Sequence, residues 1–160
     1  MLLVIVKSDD VQYVKKLWRK LPGLEIADGV YLTWATREKV KKAVGDVKEE
    51  IIKTWDAGGR GPLFEIAVVE LTEQQYNEVR HMAKSAIERQ AAALTEEIDR
   101  LLQKIRSSRD RRLAGWYRDV ARRYQRLIDA SLALAVEPTA VGKLKEKWRE
   151  LTLEAGRLFK

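Results

Sequence analysis

The chain has no cysteine, one histidine and three prolines in 160 residues. Without a thiol it can form no disulfide, thiolate metal site or cysteine nucleophile, which fits a reducing compartment. His81 stands alone, so a histidine metal cluster and a Cys-His pair are both excluded. It reads as a helix-surface or seam residue. No apolar run is long enough for a membrane span or a signal peptide, since residues 2–6 (LLVIV) end at Lys7. A cytoplasmic protein without a membrane partner is expected. No Gly-x-Ser-x-Gly elbow, His-Glu-x-x-His helix or dinucleotide-binding glycine fingerprint is present. The glycines of residues 58–61 follow a helical pattern and lead into a strand, the wrong order for a phosphate cradle. No cofactor is expected, and an enzyme would have to work through carboxylates and arginines.

What the chain has in excess is positive charge, and it is unevenly placed. The formal net charge is +7. Residues 1–70 hold 12 Lys and Arg against 11 Asp and Glu, whereas residues 71–160 hold 19 against 13. Arg100, Lys104, Arg106, Arg109, Arg111, Arg112, Arg118, Arg122, Arg123 and Arg126 face only Asp110 and Asp119 over their stretch, which points to an anionic partner.

Periodicity divides the chain into two parts. The run at residues 2–6 reads as a buried central strand. Ser8, Asp9 and Asp10 offer N-caps for a helix with Val11, Val14, Leu17, Trp18 and Leu21 on one stripe, stopped by Pro22-Gly23. Asp28-Gly29, between two short apolar runs in residues 24–34, suits the positive φ angles of a two-residue hairpin turn. Thr36 caps a second helix with Val40, Val44, Val47, Ile51 and Trp55 on its stripe, and residues 63–71 supply a last strand. The order βαββαβ is that of a ferredoxin-like sheet. From the capping box Thr72-Glu73-Gln74-Gln75 one long helix is expected to residue 105, its stripe thin at Arg89-Gln90. Two further stripes follow, from Leu113 to Leu134 and from Val141 to Leu158, with breaks at Ser107-Ser108 and Glu137-Pro138. The expected fold is therefore α+β: a ferredoxin-like domain over 1–71, then a helical coiled-coil-like region over 72–160, as a long-helix hairpin or a three-helix antiparallel bundle. Sheet edges and long amphipathic helices bearing Trp148 and Phe159 favour a homodimer.

Trp18-Arg19-Lys20-Leu21, Asp28-Gly29-Val30-Tyr31-Leu32, Gly58-Gly59 and the final strand lead into an Arg-rich helical tail. In that order they resemble the N-terminal region of ChrB-type chromate-resistance proteins. Lys7-Ser8-Asp9-Asp10 and Thr33-Trp34 depart from that pattern, and the C-terminal domain tied to chromate response has no counterpart here. The resemblance implies a DNA-associated regulatory module. At the level of fold, the plan is also similar to the small ferredoxin-like subunit of CRISPR adaptation complexes and to the C-terminal part of PaaX-type repressors. Those carry an acidic residue after the first strand, where Asp9 or Asp10 stands here.

The site expectations follow from these readings. On a helix of 100° per residue, Arg111, Arg118, Arg122 and Arg126 share the side opposite the apolar stripe, with Arg112 and Arg123 beside them, in a position to contact nucleic-acid phosphates, expected to be duplex DNA. Asp119 is a competing partner for Arg122 or Arg123. Trp116, Tyr117 and Tyr124 are expected in a helix seam rather than on bases, and Tyr31 is not expected to stack on a base. Asp9 and Asp10 are candidate Mg²⁺ ligands of a nuclease, weighed against helix capping. A partner-binding helical module without nucleic acid is the alternative function.

Overall fold

The apolar run that opens the chain becomes a strand with hydrogen-bonded neighbours on both sides. In the computed structural model, which describes residues 1–108 and 110–158, β1 (Leu2–Ser8) pairs antiparallel with β3 (Val30–Thr33) and with β4 (Phe64–Glu70). β2 (Gly23–Ala27) completes the sheet beside β3, giving the order β2-β3-β1-β4. The connections are α1 (Val11–Lys20) between β1 and β2, and α2 (Arg37–Asp56) between β3 and β4. The chain is thus a mixed α+β protein. It divides into two compact units, residues 1–83 and 84–160.

In the first unit, Leu2, Val4 and Val6 project from one face of β1, as the period of a strand requires. They form a core with Val14, Leu17, Trp18 and Leu21, with Tyr31, and with Val40, Ala43, Val47 and Ile51 of α2. Full burial of a side chain such as Leu17 stabilises the fold by roughly 1.5–3 kcal/mol. Two residues expected on the helical stripes lie outside this core. Val11, 52% exposed, is the first residue of α1 and precedes the part of the helix that packs. Trp55, 59% exposed, sits in the last turn of α2, its indole so close to Gly61 that a Cβ there would lie 1.3 Å from Nε1. Tyr31 stacks on Trp18 with ring centroids 4.4 Å apart and 8° between planes, and its hydroxyl donates to the Trp18 and Leu21 carbonyls at 3.3 and 3.0 Å.

The hairpin turn needs only one residue in left-handed backbone. Gly29 has φ of 70°, while Asp28 does not share the positive φ expected of the dipeptide, and the β2–β3 register shifts between Glu25 and Ala27. That shift supplies the curvature that a pair of positive angles would otherwise provide. Gly29 is also pressed against β1: its carbonyl accepts from the Val6 N–H at 2.8 Å, and a Cβ would stand 2.4 Å from the Val6 carbonyl oxygen.

The division between the units falls inside α3 (Glu73–Ser108), later than the end of the sheet at Glu70 and than the boundary at residue 71 that the sequence pattern suggests. α3 opens with the reciprocal capping box: Thr72 N–H donates to Gln75 Oε1 at 2.9 Å and Gln75 N–H to Thr72 Oγ1 at 3.2 Å. The second unit contains the remainder of α3, a 3₁₀ turn at Arg111–Leu113, α4 (Ala114–Ala133) and α5 (Thr139–Leu158). The stripe of α3 is not thin at Arg89-Gln90, because Ile87 and Ala91 are fully buried on either side of them. On α5, Val141, Leu144, Leu151 and Ala155 are buried, and Trp148 stacks on Tyr124 at 4.5 Å and on Tyr117 at 5.7 Å. Arg109 and Phe159 lie outside the described residues. Among the described residues no helix is long and apolar enough to cross a membrane.

α4 ends in a Schellman arrangement built without glycine. The Val136 N–H donates to the Ser131 carbonyl at 3.0 Å and the Ala135 N–H to the Leu132 carbonyl at 3.2 Å, with Ala135 at φ 50°. Two opposite substitutions test the backbone at these turns. Gly29→Ala is expected to destabilise the protein by about 2–4 kcal/mol in urea unfolding, from left-handed strain plus the clash with Val6. Ala135→Gly is expected to stabilise it by up to about 1 kcal/mol, the relief of strain exceeding the entropy that glycine adds to the unfolded chain.

Candidate nucleic-acid interface

Asp110 opens the arginine-rich segment by accepting from the Arg112 N–H at 2.8 Å, which fixes the 3₁₀ turn. Arg111 and Arg112 are therefore on that turn rather than on the face of α4, where helical spacing had placed Arg111, because the chain enters α4 only at Ala114. Both side chains are exposed. Arg118, Arg122 and Arg126 follow at four-residue steps on α4, also exposed, advancing about 6 Å along the axis at each step. Val120, Leu127 and Ser131 are buried on the other side of the same helix. The row thus consists of five exposed guanidinium groups on two adjoining elements.

The acids near this row are few and already engaged. Asp119 reaches Arg122 at 3.4 Å and Arg123 Nε at 3.0 Å. With Arg122 78% exposed at its side chain, the first of these pairs is worth at most about 1 kcal/mol and yields readily to a stronger anion. The Arg118 Nε–H donates to the Ala114 carbonyl at 3.4 Å, a contact within its own helix.

Arg123 has a different role from its neighbours. Its guanidinium donates to Glu97 of α3, and the Trp116 indole N–H donates to the same carboxylate oxygen at 2.8 Å. The bond from Arg123 first, and that from Trp116 second, hold the Glu97 carboxyl below the usual glutamate range, against the opposing effect of burial. Further ion pairs join α3 to α5: Arg106 to Glu150 at 2.7 Å and to Glu154 at 3.7 Å, and Lys147 to Asp99 at 2.8 Å. Sequence periodicity located the apolar stripes but not these cross-helix pairs. Their signal is acids at Glu97 and Asp99 flanking the buried Ile98, positions that edge a helix seam.

The remaining candidates lie outside this row. Asp10 caps α1, its Oδ1 accepting from the Gln12 N–H at 2.8 Å, and Asp9 is exposed. Among the described residues, no group of three His, Asp or Glu side chains is placed to hold a metal ion. His81 is exposed on α3, its Nδ1 2.9 Å from the Glu78 carbonyl. Trp116 is half-buried and engaged with Glu97, while Tyr117 and Tyr124 stack on Trp148. Tyr31 is in the core of the first unit. No aromatic ring of these is presented for base stacking.

No protein-family model matches the chain, and no curated protein or solved structure is significantly similar to it.

The Glu97 cluster gives a pH-dependent expectation. A carboxylate whose folded-state affinity for protons is depressed contributes stability above its unfolded pKa and loses it as pH falls through the folded value. Glu97→Gln should therefore cost about 1 kcal/mol at pH 7, the value of a partly exposed charge-assisted bond. The gap to wild type should close as acid unfolding curves are taken below the glutamate range.

Proposed function

We propose that the protein is a non-enzymatic, nucleic-acid-associated regulatory protein that holds duplex DNA by its phosphates through Arg111, Arg112, Arg118, Arg122 and Arg126. The observation that carries this reading is the exposed arginine row on the 3₁₀ turn and α4, where Asp110 caps the turn through the Arg112 N–H and Asp119 is shared between Arg122 and Arg123. Arginine presents a planar fork of donors suited to phosphate oxygens, and such contacts supply affinity without base specificity. Arg123 contributes indirectly, by fixing α4 to α3 through Glu97.

In this reading the first unit is a ferredoxin-like head. The order βαββαβ and the strand order β2-β3-β1-β4 support that assignment. The second unit is a three-helix antiparallel coiled-coil bundle, supported by the cross-helix ion pairs and the Trp148 stacks. The kinship proposed is with the N-terminal region of ChrB-type proteins, in a cytoplasmic homodimer. A metal-dependent nuclease is the weaker reading, because Asp10 is committed to the cap of α1.

Fluorescence-anisotropy titration of labelled duplex DNA over a range of salt concentrations tests the proposal. Wild type should bind with an affinity that falls steeply with salt. Arg118→Glu with Arg122→Glu should abolish most binding, and Arg118→Ala with Arg122→Ala should reduce the log–log salt slope by about 2, near 0.9 per phosphate contact. Weak wild-type binding, or binding unchanged in both double mutants, would remove the arginine face from consideration.

A further inference from the structure

A groove of about 300 Å³ runs between α2 and β4 in the first unit. Its floor is apolar, made by Val40 and Val44 from α2 and Ile66 and Val68 from β4. Its rim is cationic, carrying Arg37, Lys41 and Lys48, which fall on one side of α2 at helical spacing. Of these three, Arg37 meets Glu70 at 3.2 Å, and no carboxylate among the described residues pairs with Lys41 or Lys48. β4 is the terminal strand of the sheet, so along its outer edge the backbone N–H and C=O groups have no strand partner among the described residues.

Gly45 lines the same groove, in the middle of α2. Glycine inside a helix is destabilising relative to alanine. Packing does not require it here, since a Cβ at Gly45 would meet nothing within 4 Å. The residue keeps the groove open at a cost to the helix, and the space it leaves permits close approach of another chain.

We propose that this groove is a docking site for an extended acidic peptide of a partner protein, which adds a strand to β4. Main-chain bonds to the outer edge of β4 hold its backbone, and every second side chain faces α2: the central ones are apolar and enter the groove over Val44, Ile66 and Val68, and the outer ones are carboxylates that meet Arg37, Lys41 and Lys48. A second copy of this chain is a poorer occupant. Pairing β4 with its own twofold mate would bring two cationic rims towards each other, and like charges oppose that approach. This site is independent of the arginine row on α4.

The test is selection from a displayed library of decapeptides with alternating variable positions, against the full-length protein and three variants. Gly45→Ala, Gly45→Leu and Lys41→Glu with Lys48→Glu change the groove without touching the buried core. Selection on wild type should enrich peptides in which every second residue, the set that faces α2, is apolar at the centre and acidic towards the ends. A fluorescent peptide of the enriched sequence should lose affinity at least about tenfold with Gly45→Leu and with the double charge reversal. Thermal melts should show Gly45→Ala raising the Tm, as expected if the glycine serves the groove and not the fold. No enrichment, enrichment of peptides without acids, or equal binding by Gly45→Leu and the charge-reversed protein would overturn the proposal. So would a sedimentation result in which wild type dimerises and Gly45→Leu is monomeric, which would assign the groove to a second copy.

Discussion

The first unit depends on one interlock, the stack of Trp18 on Tyr31. It joins the end of α1 to the centre of the sheet, and polar contacts around it fix the neighbouring turns. The Tyr31 hydroxyl takes up the Trp18 and Leu21 carbonyls at the end of the helix, where intrahelical donors run out. The Trp18 indole donates to Glu25 at 3.2 Å, and the other side of the same carboxylate oxygen faces the Gly29 N–H at 3.4 Å. Gly23 lies so near the Tyr31 ring that a Cβ would come within 2.3 Å of it. Helix end, edge strand and turn are therefore positioned by two aromatic rings, together with Gly29. These contacts close one end of the sheet. Function has to be sought where the chain leaves charge unspent.

On α4 the arginines divide by what they meet. Arg123 is 45% exposed and shared between Glu97 and Asp119, so its charge is matched within the protein. Arg118 and Arg122 have, respectively, a carbonyl of their own helix and one long, solvated pair. A partly enclosed pair with two acceptors is stronger than a solvated one, which salt and a competing phosphate disrupt easily. Arg123 thus holds the helix in place, and the exposed row supplies positive potential. The groove between α2 and β4 repeats this logic on a smaller scale, with Lys41 and Lys48 left unmatched above an apolar floor.

Sequence pattern located the elements because their signals are local. The caps at Asp10, Thr36 and Thr72, the stop at Pro22-Gly23 and the break before Pro138 each depend on a few adjacent residues, and they stand where expected. Positions at element ends were less legible. Val11 and Trp55 fit the period of their helices, but a helix outruns the surface it covers, and periodicity carries no information about where that surface ends. The small residue Ala91 was missed as core because its burial comes from close helix approach and not from size. The aromatic seam around Trp148 followed from heptad spacing, whereas the partners of Glu97 and Asp99 depend on the register between helices far apart in sequence.

The division between a structural Arg123 and an exposed phosphate-binding row is most directly tested by arginine-specific labelling with phenylglyoxal, read residue by residue by mass spectrometry with and without duplex DNA. Arg111, Arg112, Arg118, Arg122 and Arg126 should label in the free protein and be protected by the duplex, Arg123 should label slowly in both, and Arg19 and Arg60 of the first unit should be unaffected. Protection confined to the first unit, or an exposed row that labels equally with and without DNA, would contradict the assignment.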